Sequence, residues 1–127
     1  MGIMYSEKVM EHFKNPRNVG EIPDADGIGG LTSEICGDHT YVYIKVKEGI
    51  IIDCKFRTFG CAAAIASSSM LTEMVIGKSL EEAMKVNSMD IVHALDDGIP
   101  EPKIHCSVLA ADSLHEAIKD YYLKKEK

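Results

Sequence analysis

Tyr41-Val42-Tyr43-Ile44-Lys45-Val46-Lys47-Glu48-Gly49-Ile50-Ile51-Ile52-Asp53-Cys54-Lys55-Phe56-Arg57 is the stretch whose reading decides the fold class. Over residues 41–47 apolar and polar positions alternate. Val42, Ile44 and Val46 share one face, and Tyr41, Tyr43, Lys45 and Lys47 share the other. A period of two belongs to a strand with one buried face. Glu48-Gly49 turns the chain, and a second alternating run follows. It puts Ile50, Ile52, Cys54 and Phe56 on the core side and Asp53, Lys55 and Arg57 opposite. The pair reads as an antiparallel hairpin whose apolar face needs a layer of helices to cover it.

The flanking sequence supplies that layer. Upstream, Tyr5, Val9 and Phe13 recur at helical spacing after Ser6, and Asn15-Pro16 ends the run. Residues 17–39 are rich in Gly, Asp and Pro and read mainly as loop, made flexible by Gly27, Gly29 and Gly30. Downstream, residues 62–76 are small helix formers closed by Gly77. Ser79 with Glu82 fits a capping box, and Ser88 caps a further helix ending near Asp96-Asp97-Gly98. The connector Ile99-Pro100-Glu101-Pro102 leads to a last helix from about residue 106 to residue 124. Its inner stripe is Val108, Ala111, Leu114, His115, Ile118, Tyr121 and Tyr122. The expectation is one α+β domain over residues 1–127: a small antiparallel β-sheet of about three strands, helices packed on one face, and a long C-terminal helix.

Composition narrows the function. A hydrophobic content of 46% with 27% charged residues fits a soluble globular chain. The net charge of −6, with scattered basic residues, gives no support to nucleic-acid binding. There is no apolar signal-peptide core and no stretch that would span a membrane. Four cysteines without secretion signals point to a reducing, cytoplasmic setting, and so to metal or thiol chemistry rather than disulfides. No C-x-x-C pair is present, which argues against a zinc ribbon or thioredoxin-type motif.

Alternation buries Cys54 between Ile52 and Phe56, where a thiol is inert. The other three cysteines stand at element ends. Cys61 follows Gly60 at a strand exit and opens a helix, where backbone amides favour a thiolate; it could equally be a small core residue at a tight turn. Cys106 repeats the arrangement, and His105 beside it offers a nitrogen ligand or a proton. The remaining histidines (His12, His39, His93, His115) read as satisfied surface groups. Cys36 and Asp38 flank Gly37, which permits a conformation bringing both to one ion; from the residues alone, Asp38 reads more readily as a turn residue before the strand. A carboxylate among thiolates holds a soft metal less firmly than a fourth thiolate would. A thiol enzyme with His105 as base for Cys106 is disfavoured, because adjacent residues seldom orient toward each other and no third orienting group is found.

Tyr5-Ser6-Glu7-Lys8-Val9, Asn15-Pro16-Arg17-Asn18-Val19-Gly20, Cys36-Gly37-Asp38, Gly60-Cys61 with Ala64-Ile65-Ala66-Ser67-Ser68-Ser69, and Lys103-Ile104-His105-Cys106-Ser107 together resemble the IscU/NifU family of iron–sulfur cluster assembly scaffolds. The likeness runs from about residue 4 to residue 123, and the chain looks like the stand-alone IscU type. It implies a scaffold, not an enzyme. Such a scaffold receives persulfide sulfur from a cysteine desulfurase, collects iron, builds a labile two-iron two-sulfur (2Fe-2S) cluster and passes it to apo iron–sulfur proteins. By position it implies Cys36, Cys61 and Cys106 as ligands, Asp38 and His105 as further site residues, and Cys106 as persulfide acceptor. It also implies zinc binding at the same site, and as further partners a ferredoxin, a frataxin-like protein, a chaperone pair and a second copy of the chain. The alternative within the resemblance is a zinc-binding sulfur acceptor of the SufU type. That type usually carries an insertion between the second and third cysteines and a basic residue in place of His105; neither is seen here. Two departures stand out. The family's chaperone-binding Leu-Pro-Pro-Val-Lys is here Ile99-Pro100-Glu101-Pro102-Lys103, and Ala62-Ala63 replace the usual Gly-Ser.

Overall fold

The computed structural model describes residues 5–33 and 37–125. The hairpin is the centre of the sheet: β2 (His39–Lys47) pairs antiparallel with β3 (Ile50–Phe59). A third strand, β1 (Gly27–Thr32), pairs antiparallel with β2, giving the order β1-β2-β3. The glycine-rich segment expected as loop is therefore partly strand. Its glycines serve close approach: a Cβ on Gly27 would lie 2.2 Å from the Ala117 carbonyl oxygen, and one on Gly29 2.2 Å from that of Ser113. Only a strand without side chains at these positions can lie directly on a helix backbone.

The register of the hairpin corrects one expectation. It shifts between Lys45 and Val46, so that Lys45 faces Asp53 and Val46 faces Ile51. The bulge adds one residue to β3 and flips the alternation. Ile51 is the core residue, while Ile50 and Ile52 are exposed; Cys54 and Phe56, beyond the bulge, are buried as expected.

The helices are α1 (Glu7–Lys14), α2 (Ala62–Val75), α3 (Leu80–Met84), α4 (Ser88–Ala94) and α5 (Ile104–Lys125). Ser6 caps α1 through Val9 N–H, and Ser79 with Glu82 forms the expected capping box on α3. The cap of α4 is Asn87, boxed with Asp90, rather than Ser88. A 3-10 turn (Glu101–Lys103) takes up the proline connector, and α5 begins at Ile104, so His105 and Cys106 lie in its first turn. α2 packs against β3, α5 against β1 and β2, and the two helices against each other. Because α5 is covered on two sides, its buried set is wider than one stripe and differs from the one expected: Cys106, Ser107, Ala110, Ala111, Leu114, Ala117 and Ile118 are inside, while Val108 and Tyr122 are exposed. Among the described residues no helix is long and apolar enough to cross a membrane.

Each sheet edge is engaged in part by other segments, which blunts edge pairing with other chains. Asp120 of α5 accepts from Ile28 N–H on β1. Asn18 and Gly20 hydrogen-bond Phe56 on the outer side of β3.

His12 is not the surface group expected from sequence. It is 2% exposed, with Nδ1 2.8 Å from Ser69 Oγ and Nε2 3.3 Å from the Glu73 carboxylate. Burial, aided by Arg17 and opposed by Glu73, holds its pKa below the usual histidine range. The unfolded chain therefore takes the proton first. This contribution to stability is complete above about pH 6.5 and is lost as pH falls toward the lower folded value. Wild-type Tm should fall between about pH 7 and pH 5.5, and His12→Gln should show a flatter profile over the same window by circular dichroism. Equal slopes would remove His12 as the cause.

Candidate metal centre

Three chain segments meet at one end of the sheet. Asp38 directly precedes β2. Its carbonyl accepts from Ser33 N–H at 2.8 Å, and Gly37 N–H donates to the Ser33 carbonyl, which ties the end of β1 to the start of β2. Gly37 takes φ +75°, the left-handed conformation that glycine adopts without strain. Cys61 is the N-cap of α2, in extended conformation, directly after Gly60 at the end of β3. Cys106 lies in the first turn of α5. A hydrogen bond of 2.8 Å between the buried Ser67 and Ser107 hydroxyls ties α2 to α5 just inside the two cysteines.

The geometry is close. Cys61 Sγ lies 3.6 Å from Cys106 Sγ, and each sulfur is 3.9 Å from Asp38 Oδ2. One donor atom from each of the three residues falls within 4.8 Å of the others. Asp38 and Cys106 are buried and Cys61 is partly exposed. A tetrahedral ion with bonds of about 2.3 Å to sulfur spaces two sulfurs by about 3.8 Å, so the sulfur spacing suits a zinc- or iron-sized ion. Two sulfurs and one oxygen also leave coordination open for a further ligand or for inorganic sulfide.

The other site candidates fall as follows. Cys36 lies outside the described residues. His105 is adjacent to Cys106 in sequence but is not one of the three converging groups; it is half-buried and lines a cavity of about 350 Å³ with Ser33, Val108 and Asp112. Cys54 is fully buried, and burial pushes its thiol far up, which keeps it protonated.

Two residues at the site were quoted from sequence as parts of motifs but given no role in it. Gly60 leaves the space that the Asp38 carboxylate fills: a Cβ there would stand 2.6 Å from Asp38 Cγ. A glycine directly before a helix-start cysteine was the available signal. Tyr5, read as part of the α1 stripe, stands close enough to the thiols to sense them. Burial raises its hydroxyl pKa, Cys61 and Cys106 push the same way, and Lys103 opposes them.

A three-stranded antiparallel sheet backed by helices, with two thiols and a carboxylate converging at its rim, defines an α+β domain with a sulfur-rich candidate metal centre. The chain belongs to the family described as NifU-like N terminal domain, whose family model matches residues 4–127. It is 57% identical over 124 residues to the iron-sulfur cluster assembly scaffold protein IscU 1 of Archaeoglobus fulgidus, covering 98% of this chain and 80% of the relative. It is 50% identical over 126 residues to the iron-sulfur cluster assembly scaffold protein IscU of Escherichia coli K12, covering 96% and 97%. Among solved structures, a scaffold protein for the SUF system from Fervidobacterium islandicum superposes with TM-score 0.76 at 27% identity, covering 90% of this chain and 96% of that one. A NifU-like N-terminal domain from Brucella abortus gives TM-score 0.77 at 21% identity over 95% of this chain and 96% of its own, a likeness of fold.

Proposed function

We propose that this protein is a scaffold on which an iron–sulfur cluster is assembled and from which it is released. The observation that carries the reading is the convergence of Asp38, Cys61 and Cys106, from three distant segments, within 4.8 Å. The names of the relatives at 57% and 50% identity support it. In this reading Cys36, Cys61 and Cys106 are the thiolate ligands of a 2Fe-2S cluster, and Asp38 and His105 are the further site residues. Cys106 is the acceptor of persulfide sulfur from a cysteine desulfurase, and apo iron–sulfur proteins are the recipients. Asp38 gives the cluster its lability, since a carboxylate is the hard, exchangeable donor among soft ones.

Anaerobic incubation with iron(II), cysteine, a desulfurase and a dithiol reductant to convert persulfide sulfur to sulfide should yield visible absorption from a 2Fe-2S cluster, with iron and acid-labile sulfide in equal amounts. Cys106→Ser and Cys61→Ser should each abolish it; assembly as efficient as wild type would remove that residue from the ligand set. Asp38→Ala should slow transfer to an apo-ferredoxin, and unchanged transfer kinetics would deny Asp38 that role.

A second reading, a zinc-binding sulfur acceptor, rests on one observation, the two closely spaced sulfurs beside a carboxylate. The same donors suit zinc. It requires zinc without acid-labile sulfide in the anaerobically purified protein, and no cluster during turnover.

A further inference from the structure

We infer that Cys61 is the resolving thiol for sulfur carried on Cys106: its attack on a Cys106 persulfide releases sulfide at the site and leaves a Cys61–Cys106 disulfide. This rests on the reading of Cys106 as sulfur acceptor, and adds a step and a residue to it.

The placement is the first argument. The two sulfurs are 3.6 Å apart, close to the separation of roughly 3–3.5 Å from which reacting atoms combine. The distance is fixed by rigid parts. Cys61 caps a 14-residue helix, Cys106 lies in the first turn of a 22-residue helix, and a hydrogen bond from Ser107, the residue after Cys106, to Ser67 on the Cys61 helix locks the two together. Among the described residues no other thiol competes, because Cys54 is fully buried in the sheet core.

The second argument is which sulfur is in reach. The 3.6 Å separation is measured to Cys106 Sγ, the atom that becomes the inner sulfur of a persulfide. Thiolate attack at that atom is ordinary thiol–disulfide exchange. The Cys61 thiol gives up its proton to water. Its sulfur then forms a bond to Cys106 Sγ, and the bond from Cys106 Sγ to the outer sulfur breaks. The outer sulfur departs with the electron pair as hydrosulfide. Two cysteine sulfurs are oxidised to a disulfide, and the sulfane sulfur is reduced by two electrons to sulfide. No outside reductant is needed for this first sulfide. A thiol or dithiol reductant is needed afterwards to restore the two cysteines. An ion held by the Cys61 thiolate would block the attack, so the step belongs to the metal-free protein.

The test uses the full chain, reduced, metal-free and freed of small thiols, then charged with a cysteine desulfurase and limiting cysteine. Sulfide is assayed over time, and peptides are mapped under non-reducing, alkylating conditions. Wild type should release up to one sulfide per Cys106 persulfide and yield a peptide linking Cys61 to Cys106. Cys61→Ser should hold its persulfide, with sulfide release at least about tenfold slower. The wild-type peptide map decides the matter even if that variant folds poorly. A wild-type persulfide that lasts as long as the variant's, with no linked peptide, would overturn the inference and leave the scaffold reading intact. A link from Cys106 to Cys36 would overturn it by naming a different resolving thiol. Sulfur that never reaches Cys106 would overturn the acceptor reading and this step with it.

Discussion

Gly29→Ala is expected to destabilise the protein by about 3 kcal/mol, lowering Tm by roughly 10 °C. A Cβ at Gly29 would lie 2.2 Å from the Ser113 carbonyl oxygen and 2.4 Å from the Ala117 amide nitrogen. Both atoms belong to the backbone of α5, whose hydrogen-bond ladder cannot yield at one turn without breaking. Relief therefore requires β1 to lift off the helix, and with it the hydrogen bond from Ile28 N–H to Asp120. Alanine in a strand recovers up to about 1 kcal/mol of backbone entropy relative to glycine, too little to offset the clash. Gly30→Ala provides the internal comparison. Its Cβ would meet the Tyr41 ring at 2.5 Å, but a half-exposed aromatic ring can rotate away. The expected cost there is below about 1.5 kcal/mol. Urea or thermal denaturation of the two variants checks the difference. Equal stabilities would mean that the strand–helix contact does not dictate the glycine at position 29.

That contact also explains what the sequence left unread. The alternation over residues 41–47 identifies β2 directly, because one face of that strand meets the core and the other meets water. In β3 the same logic fails for Ile50 to Ile52: three consecutive isoleucines carry no alternation, and a bulge between pairing partners decides which of them is inside. β1 carries no pattern at all. Its glycines resemble a flexible loop, and it is a strand because α5 lies against it, a tertiary cause invisible in local sequence. At the site, Cys61 and Cys106 were legible as thiols at helix starts, but their meeting across 45 residues was not. The family likeness suggested a shared site, and the packing of α2 on α5 brings the two sulfurs together. His105 was legible in the same way, beside a helix-start cysteine; one residue before Cys106, it lines a cavity with Ser33, Val108 and Asp112. From the residues alone, Asp38 reads more readily as a turn residue. It joins the thiols because the Gly60 position has no side chain.

Gly60→Ala should accordingly change the site while barely changing the fold. The new Cβ would stand 2.6 Å from Asp38 Cγ and 2.7 and 2.9 Å from its carboxylate oxygens. The Asp38 backbone is pinned by the Ser33 hydrogen bond and by the start of β2, so the carboxylate must swing away from the sulfurs. A rotamer change of this kind costs about 0.5–1.5 kcal/mol, so Tm should move by no more than a few degrees. The effect on the cargo should be larger. On the proposed reading of Asp38 as the exchangeable oxygen donor, displacing it should slow cluster transfer to an apo-ferredoxin by about tenfold, the scale on which metal sites respond to losing a positioning partner. Asp38→Ala should slow transfer to the same extent. Because both changes act on one carboxylate, the double variant should be no slower than either alone, the signature of two substitutions removing a single interaction. Additive slowing would mean that Gly60→Ala acts through the backbone of Cys61, one residue on, and that the glycine is required by the thiol rather than by the carboxylate.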